Sequence, residues 1–192
     1  FPTLIMLTWI SMFFGTSFVQ IMPIFADIFH SGERGYGLLI SATGIGSVTG
    51  NLFISHFQQS RRLGLMMLTC AALAPFALAG FSLVTGTLAN AAGAFWLACF
   101  FAVLASAFSS VFLVSSMTVL QLKVPDNLRG RVMGIHSITF SMIALGGLAS
   151  GTLATKFSAP VAVVIGAVVV LSSVIWVTIR QGEIINLDGS KL

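Results

Sequence analysis

Charged residues are so sparse in this sequence that they leave five long uncharged runs between them. The runs cover residues 1–26, 35–60, 63–122, 132–155 and 157–179. A helix that crosses a bilayer needs about 20 apolar residues, so each run can span a membrane at least once. The composition agrees, because 57% of the residues are hydrophobic and 7% are charged, which leaves too little polar surface for a soluble domain. We therefore expect an integral protein of the lipid bilayer.

The longest uncharged run, residues 63–122, is too long for one span, and its cluster of turn-forming residues at 85–90 (TGTLAN) divides it in two. The runs are continuously apolar and longer than barrel strands, which favours helices over a membrane β-barrel. The sequence thus predicts an all-α membrane protein, one bundle of six transmembrane helices. Their approximate spans are residues 3–29, 35–59, 63–84, 90–122, 130–155 and 159–180, followed by a tail at 181–192.

The loops between these helices carry their cations unequally. If successive loops alternate between the two faces of the membrane, one face receives seven of the nine Lys and Arg residues, and the other only Arg34 and Lys156. By the positive-inside rule the cation-rich face is cytoplasmic, so we expect both ends of the segment in the cytoplasm. The net charge of +4 is then explained by orientation and does not indicate nucleic-acid binding.

The sequence carries no pattern for catalysis, metal binding or nucleotide hydrolysis. It has no GxxxxGK[ST] loop to hold nucleotide phosphates, its three histidines are far apart, and Cys70 and Cys99 show no metal or redox spacing. His136 lies about one turn into the predicted fifth helix, where we expect a hydrated side chain. We therefore expect no catalytic residue, no metal and no cofactor in a protein that is not an enzyme.

The six helices fall into two triplets of similar character. The first and fourth place hydroxyl and amide side chains in mid-membrane, where such groups need inward-facing partners or water. The second and fifth contain helix-packing glycines at GxxxG spacing, which are Gly46 with Gly50 and Gly147 with Gly151. The third and sixth are plainly apolar. This pattern is expected of two inverted three-helix repeats within half of a transporter.

Three stretches give the sequence a resemblance to a known family. They are MPIFADIF followed by GYGLLISATGIGSVTGNL, the loop VPDNLRGRVMG, and GGLASG in the fifth helix. With them the chain resembles the C-terminal six-helix half of a major facilitator superfamily (MFS) transporter, in the bacterial efflux branch that includes macrolide and enterobactin exporters. The loop HFQQSRR keeps the basic residues of a family motif but lacks its acid. Because the sequence starts at Phe1, we expect it to be part of a longer protein that supplies the N-terminal half.

The resemblance implies a secondary active transporter of the bacterial inner membrane. In the family, the first and fourth helices of each half line the central cavity, the second and fifth meet the other half, and the third and sixth face lipid. We therefore expect proton-coupled export of an amphipathic small molecule, such as a drug or siderophore-like compound, by alternating access. Two alternatives remain open. One is a non-transporting six-helix anchor or interaction subunit, and the other is a six-helix transporter that dimerises with a second copy through its glycine surfaces.

Polar side chains on the two cavity helices are the candidates for contact with this substrate. They are Thr16, Ser17, Gln20, Ser109 and Ser116. For Thr16, Ser17 and Gln20 the alternative is hydrogen bonding between helices. For Ser109 and Ser116 it is a bond to a carbonyl of their own helix.

Two further sets of residues are candidates for steps of the transport cycle. Asp27, the only acid in or beside a span, is the candidate for proton coupling, and the alternative is a solvated residue at the membrane interface. Asp126, Arg129 and Arg131 lie in the loop where charge pairs of the family help to hold one state of the cycle. They are candidates for a cytoplasmic latch, and the alternative is that they only fix the orientation of the protein.

Overall fold

The computed structural model describes residues 2–57 and 63–180, and within these ranges the chain consists of helices and short turns without a β-strand. The first helix covers residues 2–28 in four stretches, Pro2–Ile10, Ser11–Thr16, Ser17–Ile21 and Met22–Ile28. The second, third and fourth helices are Gly32–Phe57, Leu63–Thr87 and Ala94–Lys123. The fifth consists of Asp126–Ser137 and Thr139–Lys156, and the sixth is Ala159–Arg180.

All six helices are long and apolar enough to cross a membrane. Large apolar side chains such as Phe76, Trp96 and Ile179 lie exposed on the outside of the bundle, which suits a lipid environment. The predicted fold class is therefore confirmed, and the protein is an all-α, multi-pass membrane protein.

The turn between the third and fourth helices lies later in the sequence than predicted. The third helix continues through Thr85, because the hydroxyl of this residue donates to the carbonyl of Phe81 one turn back and does not interrupt the helix. The fourth helix begins at Ala94, directly after Gly93. The φ angle of Gly93 is 84°, a conformation that glycine adopts without steric cost.

Packing between the two triplets of helices is reciprocal. The second helix lies along the fourth, and its counterpart, the fifth, lies along the first. The third helix packs against the fourth and the sixth, and the sixth also packs against the first. The polar helix of each triplet therefore packs against the glycine-rich helix of the other triplet, as expected of two interlocked repeats.

Glycines make the two reciprocal contacts close. A side chain at Gly46 would collide with the backbone of Val103 in the fourth helix, and one at Gly146 would collide with the backbone of Phe13 in the first helix. Backbones this close can form Cα–H···O=C contacts, and their dispersion contacts supply packing that the hydrophobic effect does not supply in lipid. The polar first and fourth helices are thus each held against a helix of the opposite triplet.

Apolar side chains close the interior of the bundle above and below its middle. Near the Ile28 end of the first helix, the rings of Phe25 and Phe81 pack edge to face with centroids 4.8 Å apart. Near its other end, Leu7 and Met67 belong to a second buried apolar cluster. Along the two helices, Ser11 and Thr16 of the first and Ser106, Ser109 and Ser110 of the fourth lie between these two clusters.

Candidate functional site

The first helix departs from α-helical geometry in the middle of the membrane. Ser11–Thr16 form a π-helical turn, and Ser17–Ile21 form a 3-10 turn directly after it. A π turn holds more residues than an α turn and therefore redirects the side chains that follow it. Such turns occur frequently at functional sites.

The π turn is accommodated by glycines on two neighbouring helices. The carbonyl of Phe13 lies against Gly146 of the fifth helix, and the carbonyl of Phe14 lies against Gly166 of the sixth. A Cβ atom at Gly166 would be only 2.6 Å from the Phe14 oxygen. A larger residue at either position would push against the backbone of the π turn.

An uncharged cavity of about 210 Å³ lies beside this irregular segment. Its wall is built from the first, second, fourth and fifth helices, and apolar side chains such as Met12, Phe18 and Leu113 contribute to it. The polar part of the wall consists of six hydroxyl groups, those of Thr16, Thr43, Ser47, Ser106, Ser109 and Ser110. A mainly apolar surface with a few placed polar groups is typical of a small-molecule site.

The hydroxyl groups of the cavity differ in what they already bind. Thr43 and Ser47 donate to carbonyls of their own helix at 2.7 and 2.9 Å, so they offer a ligand only their lone pairs. Ser106, Ser109 and Ser110 of the fourth helix have no hydrogen-bond partner among the described residues. The fourth helix therefore supplies the free donors.

Across residues 2–57 and 63–180, no group of three His, Cys, Asp or Glu side chains could hold a metal ion.

Of the five candidates for substrate contact, the structure brings Thr16 and Ser109 together on the cavity wall. Ser17 is buried and donates to a carbonyl one turn back in its own helix. Gln20 is exposed, and its side chain lies against Gly147 of the fifth helix. Ser17 and Gln20 do not line the cavity.

Ser116, the fifth candidate, joins the first and fourth helices away from the cavity. Its hydroxyl is fully buried and lies 2.8 Å from the hydroxyl of Thr8. Because Thr8 gives its only proton to the carbonyl of Leu4, Ser116 donates and Thr8 accepts. This pair is an interhelical hydrogen bond, whereas the alternative expected for Ser116 was a bond to a carbonyl of its own helix.

The second helix contributes two cavity hydroxyls that the sequence prediction missed. Thr43 and Ser47 are four residues apart and therefore lie on one face of their helix. They precede Gly46 and Gly50 by three residues each, so the hydroxyl stripe runs beside the glycine stripe that packs on the fourth helix. A search for paired hydroxyls next to GxxxG spacings would have found them.

The helix-packing glycines differ between the two triplets. Gly46 and Gly50 both lie against the backbone of the fourth helix. In the fifth helix the corresponding contact is made by Gly146, which the sequence prediction did not single out. Gly147 lies against a flexible side chain, and a methyl group added at Gly151 would meet nothing within 4 Å. The close contact thus lies one residue earlier than the GxxxG pair suggests.

The candidate coupling and latch residues lie outside the cavity. Asp27 is exposed in the last turn of the first helix, and Arg131 is exposed near the start of the fifth. Asp126 and Arg129 belong to the helix that precedes the second stretch of the fifth, but their side chains lie outside the described residues.

His136 is buried, so the expectation of a hydrated side chain is wrong. It is only 3% exposed. The fifth helix also begins at Asp126, earlier than predicted, so about ten residues, or roughly 15 Å of helix, precede His136. Neither its Nδ1 atom nor the hydroxyl of Thr139, three residues further on, has a hydrogen-bond partner among the described residues. The fifth helix therefore carries buried polar groups as well as glycines.

Two larger grooves lie on the outer surface of the bundle. One, of about 350 Å³, runs between the first and sixth helices, and the other, of about 940 Å³, runs between the third and sixth. Exposed apolar side chains such as Trp176 and Leu83 line them. Both grooves lie on the outer surface, whereas the hydroxyl-lined cavity is shared by four helices, so this cavity is the better candidate for a solute site.

Comparison with known proteins adds a family match over almost the whole chain. The family model described as Major Facilitator Superfamily matches residues 4–190. No curated protein and no solved structure was found to match.

Proposed function

Because this chain belongs to the Major Facilitator Superfamily, a family of membrane transporters, we propose that it is the C-terminal six-helix half of a bacterial exporter. Its proposed activity is proton-coupled export of an amphipathic small molecule by alternating access, in which two six-helix halves rock about a site in mid-membrane. The observation that carries this proposal is the uncharged, hydroxyl-lined cavity beside the π turn of the first helix.

The chemistry of the cavity wall supports an amphipathic substrate. The free hydroxyls of Ser106, Ser109 and Ser110 can donate to acceptor atoms of a solute, while Met12 and Leu113 offer apolar contact. Surfaces with methionine adapt to ligands of different shape, which favours loose recognition. Since the described residues of the wall include no charged side chain, an uncharged substrate can bind to this half.

A second six-helix half is the proposed partner of this chain. The flank formed by the second and fifth helices exposes large apolar side chains, among them Ile45, Val48, Leu145 and Leu148. An N-terminal half lying on this flank would bury these side chains and complete the cavity. A second copy of the chain is the alternative partner. The Gly46 face is not available to such a copy, because it is already packed on the fourth helix.

The distribution of cations supports an inner-membrane protein with both ends of this segment in the cytoplasm. We propose that Arg131, with Asp126 and Arg129, forms a latch on the cytoplasmic side, since Arg131 is exposed at the start of the helix that lies along the first helix. Asp27 is the proposed proton-coupling residue, because its carboxyl is an ionisable group on the helix that contains the π turn and lines the cavity. Its exposure is equally expected of the alternative, a solvated residue at the membrane interface.

Transport by the complete protein in proteoliposomes tests the proposed function. A panel of lipophilic fluorescent compounds is added, a proton gradient is imposed, and movement of each compound is followed with and without an uncoupler. Ser106→Leu places a large side chain into the cavity and is expected to reduce transport strongly. The matched variant Ser172→Leu changes an exposed serine of the lipid-facing sixth helix and is expected to retain transport.

Two results would contradict the proposal in different ways. Undiminished transport by Ser106→Leu would mean that the substrate does not pass through this cavity. If no compound moves in response to the gradient, proton-coupled export is refuted, and the six-helix anchor becomes the better interpretation of this chain.

A further inference from the structure

A second, much smaller cavity lies behind the wall of the candidate site, in the interior of the bundle. It measures about 10 Å³ and is enclosed by residues of the first, third, fourth and sixth helices. This is about the space that one water molecule needs. It is too small for any larger ligand.

Three hydroxyl groups line this small cavity. Ser11, which begins the π turn, is only 7% exposed, and its hydroxyl has no hydrogen-bond partner among the described residues. Thr16, at the end of the same turn, donates to the sulfur of Met12 at 3.5 Å, so its lone pairs remain open to a donor. Ser109 of the fourth helix also lines the small cavity and has no partner in the described part of the chain. All three hydroxyls are thus available to a water molecule.

The third helix adds a carbonyl to the same cavity. Pro75 lies inside this helix and has no N–H group, so the carbonyl of Ala71, four residues earlier, lacks its normal helical donor. Ala71 and Pro75 both line the small cavity, so the place where this carbonyl lacks its donor adjoins the cavity. Both residues are buried, so neither lipid nor bulk water can supply the missing donor.

We propose that a single water molecule occupies this cavity and bridges the Ser11 hydroxyl of the first helix to the Ala71 carbonyl of the third. A buried water needs two to four polar partners, and the cavity offers the three hydroxyls and this carbonyl. Polar groups in a bilayer interior must be satisfied by protein or water, which gives the site its driving force. The water joins the π turn of one helix to the proline site of another.

The same water also contacts hydroxyl groups that form the wall of the candidate substrate site. Thr16 and Ser109 line both the small cavity and the 210 Å³ cavity, so each hydroxyl can bind the water on one side and face a solute on the other. The water therefore orients two hydroxyls of the wall. Its presence does not depend on export, so the site can be tested apart from the proposed function.

X-ray hydroxyl-radical footprinting of the complete protein tests this site directly, because radiolysis generates radicals from bound water where it lies. Phe112 lines the small cavity and is 2% exposed, whereas Phe25 is fully buried and lies outside it. We expect Phe112 to be oxidised several-fold faster than Phe25. Equal rates in the unsubstituted protein would overturn the proposal.

Two variants identify the partners of the water. Ser11→Val removes a hydroxyl and fills the cavity, so oxidation of Phe112 is expected to fall to the rate of Phe25. Pro75→Ala restores an N–H donor for the Ala71 carbonyl but leaves the three hydroxyls in place, so the rate at Phe112 is expected to fall only part of the way. The matched variant Ser172→Val, on the exposed face of the sixth helix, is expected to leave the rate unchanged.

Two variants are used so that the test still gives a result if one of them does not fold. Each is first checked for a monodisperse peak in size-exclusion chromatography, and Pro75→Ala provides the result if Ser11→Val does not fold. An undiminished rate at Phe112 in a folded Ser11→Val or Pro75→Ala protein would overturn the proposed bridge.

Discussion

Three glycines in the middle of the fifth helix provide a graded test of how this membrane bundle packs. Each is replaced singly by alanine, giving Gly146→Ala, Gly147→Ala and Gly151→Ala. The three changes add the same methyl group to the same helix, so differences between them report what that methyl group meets.

The structure gives each of these methyl groups a different neighbour. At Gly146 it collides with the backbone of Phe13, which cannot rotate away, and such overpacking costs about 1–3 kcal/mol. At Gly147 the nearest atom is the Cγ of Gln20 at 2.7 Å, in an exposed side chain that can move, so a cost below about 1 kcal/mol is expected. At Gly151 nothing lies within 4 Å, and the better helix propensity of alanine stabilises the protein by up to about 1 kcal/mol.

Thermal unfolding of the complete protein in detergent measures these differences. A thiol-reactive fluorogenic dye follows the transition, because Cys70 and Cys99 are partly buried within spans and become reactive on unfolding. A loss of about 2 kcal/mol lowers the midpoint by roughly 4–8 °C in a chain of 192 residues and by less in a longer protein. We expect the lowest midpoint for Gly146→Ala and a midpoint at or above that of the parent for Gly151→Ala.

The order of the three midpoints decides whether the reasoning holds. A loss for Gly151→Ala as large as that for Gly146→Ala would mean that Gly151 packs against the proposed second half in the complete protein. A loss for Gly146→Ala no larger than that for Gly147→Ala would refute the backbone contact between Gly146 and Phe13.

Two further predictions concern the transport cycle. Asp27→Asn keeps the size of the side chain but removes its ionisable group, so the pH dependence of transport in vesicles is expected to flatten, while Glu33→Gln in the first turn of the next helix serves as the matched control. An unaltered pH profile for Asp27→Asn would exclude this residue from proton coupling. Arg129→Gln, with Arg131 retained, is expected to insert normally in the membrane but to turn over more slowly. Normal turnover together with normal insertion would leave Arg129 with a role in orientation alone.

The number and type of helices could be read from the sequence because the signal is local. A span is defined by the length and polarity of a continuous run, and neither depends on distant contacts. The long run at residues 63–122 needs a turn to divide it, and the turn predicted at 85–90 lies several residues before the turn in the structure. The hydroxyl of Thr85 was counted as a turn signal, whereas in the structure it binds a carbonyl of its own helix.

The candidate site was only partly predictable because it depends on the phase of each helix. Regular α-helical spacing would place Thr16 and Gln20 on one face, but the intervening residues form π and 3-10 turns, and only Thr16 lines the cavity. Composition indicated polar groups in the fourth helix, yet it could not distinguish Ser109 on the cavity wall from Ser116 in a bond to Thr8. That distinction rests on which helix lies opposite each serine.

The π turn also affects how this chain should be aligned with its relatives. A relative whose first helix is regular throughout will match the chain on both sides of Ser11–Thr16 only if a one-residue gap is allowed there. Alignments usually reject gaps within a transmembrane helix, so without that gap the equivalents of Ser17 and Gln20 would be assigned one position off. Small residues at the positions of Gly146 and Gly166 give an independent sign that a relative has the turn, because they leave room for its displaced carbonyls. Whether a relative has this one-residue insertion can therefore be used to group the first helices of related proteins by descent.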